Sequence, residues 1–514
     1  MDILKLFEQI RLTATPLVVV RTADPAACRV RLTRAASNVA GTTAPAVLSW
    51  DILRGVVALT DAAKALVPSG KGAVPPAMLL RHLDDVGRDA SLHDALIFTH
   101  NLHLFWAKDP SVVQGIWNLR DVFKAQGHTL VMLVPDGASI PAEIRDDVTV
   151  LDDPRPDADE LRDIVLSQFK ALRETGNRKI TDPKPAAMTR YVSAVSGLPA
   201  FGSEQAVALS MTSKGLDQAA LWDRKIASLE EIPGVEIWRG AESFDDLRGV
   251  DSIQRYCEDL VAGEPTNLVV FLDEIEKQFG NVGSALDSGA SKGQFGQVLS
   301  YMEDSKVDGL MLVGPPGTGK SHVAKALGKL AGCLVMALNF SKAKGSLVGQ
   351  TEANTAAILK TITAIAQGGV LFVATSNDIG ALPPELLARF TLGTYFVERA
   401  RTITERAAQW RVQIESFGLD GKQKIPTGGD NWSGRDIRNA CRLSKRLGKP
   451  IVDVVGRIVP SEQVDREKIE ALRQQADGRY LDAGRDGLYV NNVVNVPAAA
   501  VSGRRVRTRD NRES

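Results

Sequence analysis

Cysteine is scarce in this 514-residue chain, and the four present do not cluster. Cys28, Cys257, Cys333 and Cys441 form no Cys-x-x-Cys pair, which excludes a disulfide framework and a thiolate zinc centre as organising elements. The six histidines are dispersed too. His100-x-x-His103 offers two ligands with no cysteine or carboxylate pattern beside them, which falls short of a zinc site. No apolar run approaches the roughly 18 residues of a membrane span, so no membrane helix is expected. Asp2 and Glu8 sit in an amphipathic opening unlike a signal peptide. An excess of one charge is also missing: 62 Lys+Arg balance 62 Asp+Glu. That argues against a chain whose main task is coating nucleic acid or an anionic membrane. With 44% hydrophobic and 24% charged residues, wholesale disorder is excluded. A cytoplasmic protein of about three domains is expected.

What is present is a sequence of apolar strands and helical stretches. Leu17–Val20, Ala95–Phe98 and Thr129–Val134 read as buried strands of a first α/β domain, residues 1–180. Residues 181–235 read as mainly helical. Strands at Leu268–Leu272, Leu310–Val313, Leu334–Leu338 and Val370–Val373 then alternate with helices, the pattern of a mostly parallel sheet over 236–397. Helices dominate 398–480, and 481–514 reads as a flexible tail ending in arginines.

The strongest motif is Gly314-Pro315-Pro316-Gly317-Thr318-Gly319-Lys320-Ser321, which fits G-x-x-x-x-G-K-[ST] between a strand and a helix. Its glycines let the backbone curl round a phosphate, with N–H groups pointing inward at a helix N-terminus. Lys320 would reach the β- and γ-phosphates of ATP, and the Ser321 hydroxyl would take Mg²⁺. His322 follows directly, as a helix-face residue beside the loop.

Hydrolysis needs a carboxylate for the metal and another for the attacking water. Downstream of the loop nothing fits, because Val370–Val373 runs into Ala374-Thr375-Ser376-Asn377. Upstream, Val269-Val270-Phe271-Leu272-Asp273-Glu274 does fit. Asp273 would serve Mg²⁺ and Glu274 the water.

Together these segments resemble the AAA+ ATPases of the AAA clade, and within it the AAA proteins encoded in plastid and cyanobacterial genomes. Phe244–Val250 resembles the segment bordering the adenine, which puts Leu247 and Gly249 at the nucleotide. Ser346–Glu352 resembles the central-pore loop, with Leu347 and Val348 where an aromatic is usual; the pair would grip a polypeptide or pack within the ring. Ala374–Asn377 resembles sensor 1, with Asn377 orienting the water. Leu382–Phe390 resembles the arginine-finger segment, with Arg389 entering a neighbour's site. Trp432–Ile437 resembles the start of the sensor-2 helix, with Arg435 on the γ-phosphate. The resemblance implies a P-loop NTPase (AAA+) parallel sheet with a helical lid.

The departure is order. The family places the Asp-Glu strand after the pore loop, and here it precedes the phosphate loop, as in a permuted strand–helix unit. A site built at the ends of neighbouring parallel strands needs spatial adjacency and no particular chain order. In the family's sheet the sensor-1 strand lies between the other two. The N-terminal half resembles a degenerate AAA-like α/β domain without a phosphate loop. There Leu96–His100 takes the place of the Asp-Glu strand and Leu130–Val134 that of the sensor-1 strand. The implied function is a hexameric homo-oligomeric ring that hydrolyses ATP and remodels a protein or nucleoprotein client, with no membrane contact. A nucleotide-gated scaffold with little turnover is the alternative. A nucleic-acid motor using the basic tail, Arg504 to Arg512, is a third reading.

Overall fold

The computed structural model describes residues 3–38, 45–68, 72–174, 181–213, 215–238, 242–279, 290–340, 342, 350–378, 380, 382, 384–426 and 432–491. The chain divides into two compact units. One holds residues 1–237, 285–301 and 339–368; the other holds 238–284, 302–338 and 369–514.

In the first unit, β1 (Leu17–Arg21), β2 (Val47–Asp51), β3 (Gly55–Ala58), β4 (Leu96–His100), β5 (Thr129–Val134) and β6 (Thr149–Asp152) lie in the order β3-β2-β4-β5-β1-β6. All described pairings are parallel except the β2–β3 hairpin. Alternate residues of β1 feed opposite faces, as the two-residue strand period requires. Leu17 and Val19 join a core with Leu80, Ile116 and Phe123, and Val18 and Val20 join one with Phe7, Cys28 and Leu32. Burial on both faces is what makes these strands continuous apolar runs. Three strands, β2, β3 and β6, add to the three the sequence predicts. A short antiparallel pair, β7 (Met211–Thr212) and β8 (Gly215–Leu216), interrupts the helical segment.

The helix Gln350–Ala366 belongs to this first unit, not to a self-contained 236–397 block. Lys360 Nζ lies 2.7 Å from Asp136 Oδ1, and Ser196 Oγ donates to the Ala364 carbonyl at 2.8 Å. Gly197 passes so close that a Cβ there would stand 2.4 Å from Ile365 Cγ1.

The second sheet contains β9 (Val235–Trp238), β10 (Leu268–Leu272), β11 (Asp308–Val313), β12 (Leu334–Leu338), β13 (Val370–Ser376), β14 (Thr394–Phe396) and β15 (Leu481–Asp482). Its order is β15-β14-β11-β13-β10-β12-β9. Thus β13 lies between β11 and β10, parallel to both. Five strands in the first unit run β2-β4-β5-β1-β6, and five here run β12-β10-β13-β11-β14. The two rows have the same chain-order pattern except that β10 comes first instead of third. A smaller core of Trp410, Ile414, Ile437, Cys441 and Ile451 holds the helices Ile403–Ser416 and Gly434–Leu447 together.

Residues 481–491 correct the expected tail boundary. Leu481 and Asp482 pair with Tyr395 and Phe396. Tyr489 is buried, with its ring centroid 4.2 Å from that of Phe396. A short two-residue strand and one aromatic leave too little periodicity to be read in advance.

Candidate functional site

Strand β11 delivers the chain into Gly314, where the backbone leaves any conformation an L side chain holds comfortably. Its φ is +154°, and a Cβ would stand 2.3 Å from the Val397 carbonyl oxygen. Gly317 (φ +84°) and Gly319 (φ +101°) continue the turn. The helix Lys320–Ala331 starts at Gly319 with no side chain capping it, so its first N–H groups remain open to an anion.

Lys320 is buried. Its Nζ donates to the Gly314 carbonyl at 2.7 Å and the Pro315 carbonyl at 2.8 Å, so the amine is held against the loop that it would leave for a phosphate. Burial pushes it down to about 7, against the opposing pull of Glu276 and Asp273.

The acids directly follow β10, two strands away. Asp273 Oδ1 accepts the Ser321 hydroxyl at 3.0 Å and the Thr375 hydroxyl at 2.6 Å. Glu274 sits at φ +45°, with its amide N–H donated to Thr375 Oγ1 at 2.9 Å. Its Oε1 accepts Asn377 Nδ2 at 3.0 Å and its Oε2 meets Lys277 Nζ at 2.5 Å. Burial pushes this carboxyl up, but Lys277, Asn377 and Arg435 outweigh it and hold it below the usual glutamate range.

These groups open on one cavity of about 290 Å³. Leu247, Pro316, Gly317, Thr318, Gly319, Lys320, Ser321, His322, Asp273, Glu274, Asn377 and Arg435 all line it. His322 Nε2 lies 3.2 Å from the Ser243 carbonyl, which ties the helix face to the residue just before Phe244. Arg435 comes from a helix begun by a Ser433–Asp436 capping box, and its amide donates to the Gly317 carbonyl at 3.2 Å.

Other expected residues lie elsewhere. Gly314 and Pro315 do not line the cavity, and their carbonyls hold Lys320. Gly249 (φ +75°) packs behind the cavity against Ala400. Arg389 pairs with Glu303 at 2.7 Å and does not line the cavity. Leu347, Val348 and the arginines from Arg504 onward lie outside the described residues.

Thr375, Glu276 and Glu398 are contributions that the sequence reading missed. Glu398 is buried where β14 leads towards the helix Ile403–Ser416. Arg473 grips it through Nε (2.8 Å) and Nη2 (3.1 Å), and the Tyr489 hydroxyl donates to it at 3.1 Å. Burial raises this carboxyl, and the Arg473 contacts overcome that and hold it low. Arg399 and Glu462 form an ion pair next to it.

A triphosphate with its metal suits this donor set. The loop offers open N–H groups and a buried amine, and Ser321 Oγ and Asp273 are adjacent hard oxygens of the kind Mg²⁺ takes. Residues 310–372 match the family described as ATPase family associated with various cellular activities (AAA). The chain carries an AAA-family ATPase domain. That match opens on β11 and does not reach back to Asp273. Residues 5–152 match the family described as SpoVK-like AAA ATPase, N-terminal domain. Two relatives bear the name uncharacterized AAA domain-containing protein ycf46. The one from Guillardia theta is 20% identical over 497 residues, 86% of this chain and 88% of the relative. The one from Gracilaria tenuistipitata var. liui is 21% identical over 434 residues, 74% and 81% of the two chains. No described helix is long and apolar enough to cross a membrane.

Among its described residues, the first unit has no glycine loop like that at Gly314–Gly319. Where β1 ends, Asp24 caps the next helix, with Oδ1 accepting Ala27 N–H at 3.0 Å and Oδ2 accepting Phe201 N–H at 2.9 Å. The Asp24 carboxylate thus caps the start of this helix, and Pro25 begins it.

Proposed function

We propose that the protein is an Mg²⁺-dependent ATP hydrolase that works as a homo-oligomeric ring, hexameric by likeness to its family, and remodels a protein or nucleoprotein client. The observation that carries this reading is the 3.0 Å contact between Ser321 Oγ, from the phosphate loop, and Asp273 Oδ1, from a strand that precedes it in the chain. It supports a site assembled from a strand–helix unit moved ahead of the phosphate loop. The matching strand pattern of the first unit, where the equivalent strand is third in chain order, supports the same reading.

Bound Mg²⁺ would supply charge neutralisation at the phosphates, held by Ser321 and Asp273. Lys320 exchanges its two carbonyl partners for phosphate oxygens. Glu274, released from Lys277, takes the proton of the attacking water, and Asn377 keeps that carboxylate and the water in line. Arg435 reports nucleotide state to the lid, and Arg389 leaves Glu303 to serve a neighbouring subunit's site.

A nucleotide-gated scaffold is favoured by one observation: both Glu274 oxygens are engaged, by Lys277 and by Asn377. Phosphate release by the wild type and by Glu274→Gln separates the two. Turnover in the wild type, lost in the variant while nucleotide still binds, supports the ATPase; equal background rates in both support the scaffold.

A further inference from the structure

Two residues beyond Glu274, a third acid turns back towards the sensor strand. Glu276 Oε1 accepts the main-chain N–H of Asn377 at 3.1 Å. Its other oxygen, Oε2, is buried with no hydrogen-bond partner among the described residues. A carboxylate oxygen shut from solvent without a partner is costly, and an amide side chain would give the same Oε1 hydrogen bond without the charge. Glu276 does not line the nucleotide cavity. Asn377 is therefore gripped at both ends by one short segment, its main chain by Glu276 and its side-chain amide by Glu274.

From this geometry we infer that Glu276 is a positioning residue for the hydrolytic step, fixing the main chain of Asn377 and thereby the direction in which its amide meets Glu274. The inference rests on the ATPase reading above. None of the nucleotide-binding groups hydrogen-bonds Glu276, whose charge reaches Lys320 only through space; a variant that keeps the hydrogen bond and loses the charge therefore separates positioning from that pull.

The test uses the full chain, with ATP and Mg²⁺ as the probe. Glu276→Ala is expected to lower kcat about 10- to 100-fold while KM stays within about twofold. Glu276→Gln keeps an oxygen acceptor at the same reach and restores kcat to within about threefold of the wild type. Glu276→Asp keeps the charge, withdraws the oxygen by one methylene, and is expected to lose kcat as the alanine variant does; it also serves should the alanine variant not fold. Combined with Asn377→Ala, Glu276→Ala is expected to cost nothing further, since the two act as a unit. Hydrogen exchange at the Asn377 amide gives a readout independent of turnover: protection persists in Glu276→Gln and drops in Glu276→Ala and Glu276→Asp. An unchanged kcat, a loss confined to KM, additive losses in the double variant, or unaltered amide protection would each overturn the inference. If the wild type releases no phosphate, the ATPase reading falls, and the exchange measurement by itself decides whether Glu276 positions Asn377.

Discussion

The Thr375 hydroxyl lies 2.6 Å from Asp273 Oδ1 and takes the amide N–H of Glu274 at 2.9 Å. One buried side chain on β13 thus aligns both acids of β10. Thr375→Val keeps the shape and removes the hydroxyl, which leaves the Glu274 amide without its acceptor. We expect a stability loss of about 1–2 kcal/mol in chemical denaturation. We also expect turnover to fall about tenfold, as the two carboxylates drift relative to Ser321.

Asp273 and Ser321 act on one metal in this account. Ser321→Ala and Asp273→Asn are each expected to raise the Mg²⁺ concentration needed for half-maximal ATP turnover by about 10-fold or more. Nucleotide affinity measured in EDTA should barely change. A titration in which Mg²⁺ demand moves for Ser321 but not for Asp273 would detach β10 from the site.

Lys225 lies buried in the helical segment, with Nζ donating to the Ser193 carbonyl at 2.9 Å and lying 4.8 Å from the centroid of the Trp222 ring. Burial pushes its amine down to about 7. Unfolding returns it to the ordinary lysine value of about 10.4. Between pH 7 and 10 the unfolded chain therefore holds the extra proton, and the contribution of this group to stability rises with pH. Lys225→Met should stabilise the first unit by about 1–3 kcal/mol at pH 7, with the gain shrinking towards pH 10. Hydrogen exchange in the helix Gln218–Glu230 at the two pH values reads the difference.

Asp24 caps the helix that follows β1. Asp24→Ala should lower the melting temperature of the first unit through a lost cap of about 1 kcal/mol and leave ATP binding at one nucleotide per chain. Equilibrium dialysis counts the nucleotide directly. A second bound nucleotide in the wild type would show that the first unit binds nucleotide despite the Asp24 cap.

The phosphate loop was legible because each glycine answers a backbone demand, and Gly314 and Gly319 both take φ values that L side chains avoid. The acidic pair was legible because four apolar residues mark a buried strand and its polar end must emerge at the sheet's edge. Thr375, Glu276 and Glu398 were not, because each is a single polar residue whose partner lies far away in the chain. Among the missed strands, β6 (Thr149–Asp152) has one buried residue in four and so lacks an apolar run. In β2 the apolar run is broken by Ser49, which contacts His100 and Arg29 side chains instead of a core. Arg389 shows a different limit: its proposed role belongs to a neighbouring subunit, and within the single chain its guanidinium pairs with Glu303.

The most direct measurement is a structure of the full chain with Mg²⁺ and a non-hydrolysable ATP analogue. The account predicts the metal about 2.0–2.1 Å from Ser321 Oγ, with Asp273 on the metal or on its waters and Glu274 facing the γ-phosphate. A metal bound with Asp273 and Glu274 turned away from the nucleotide would contradict it.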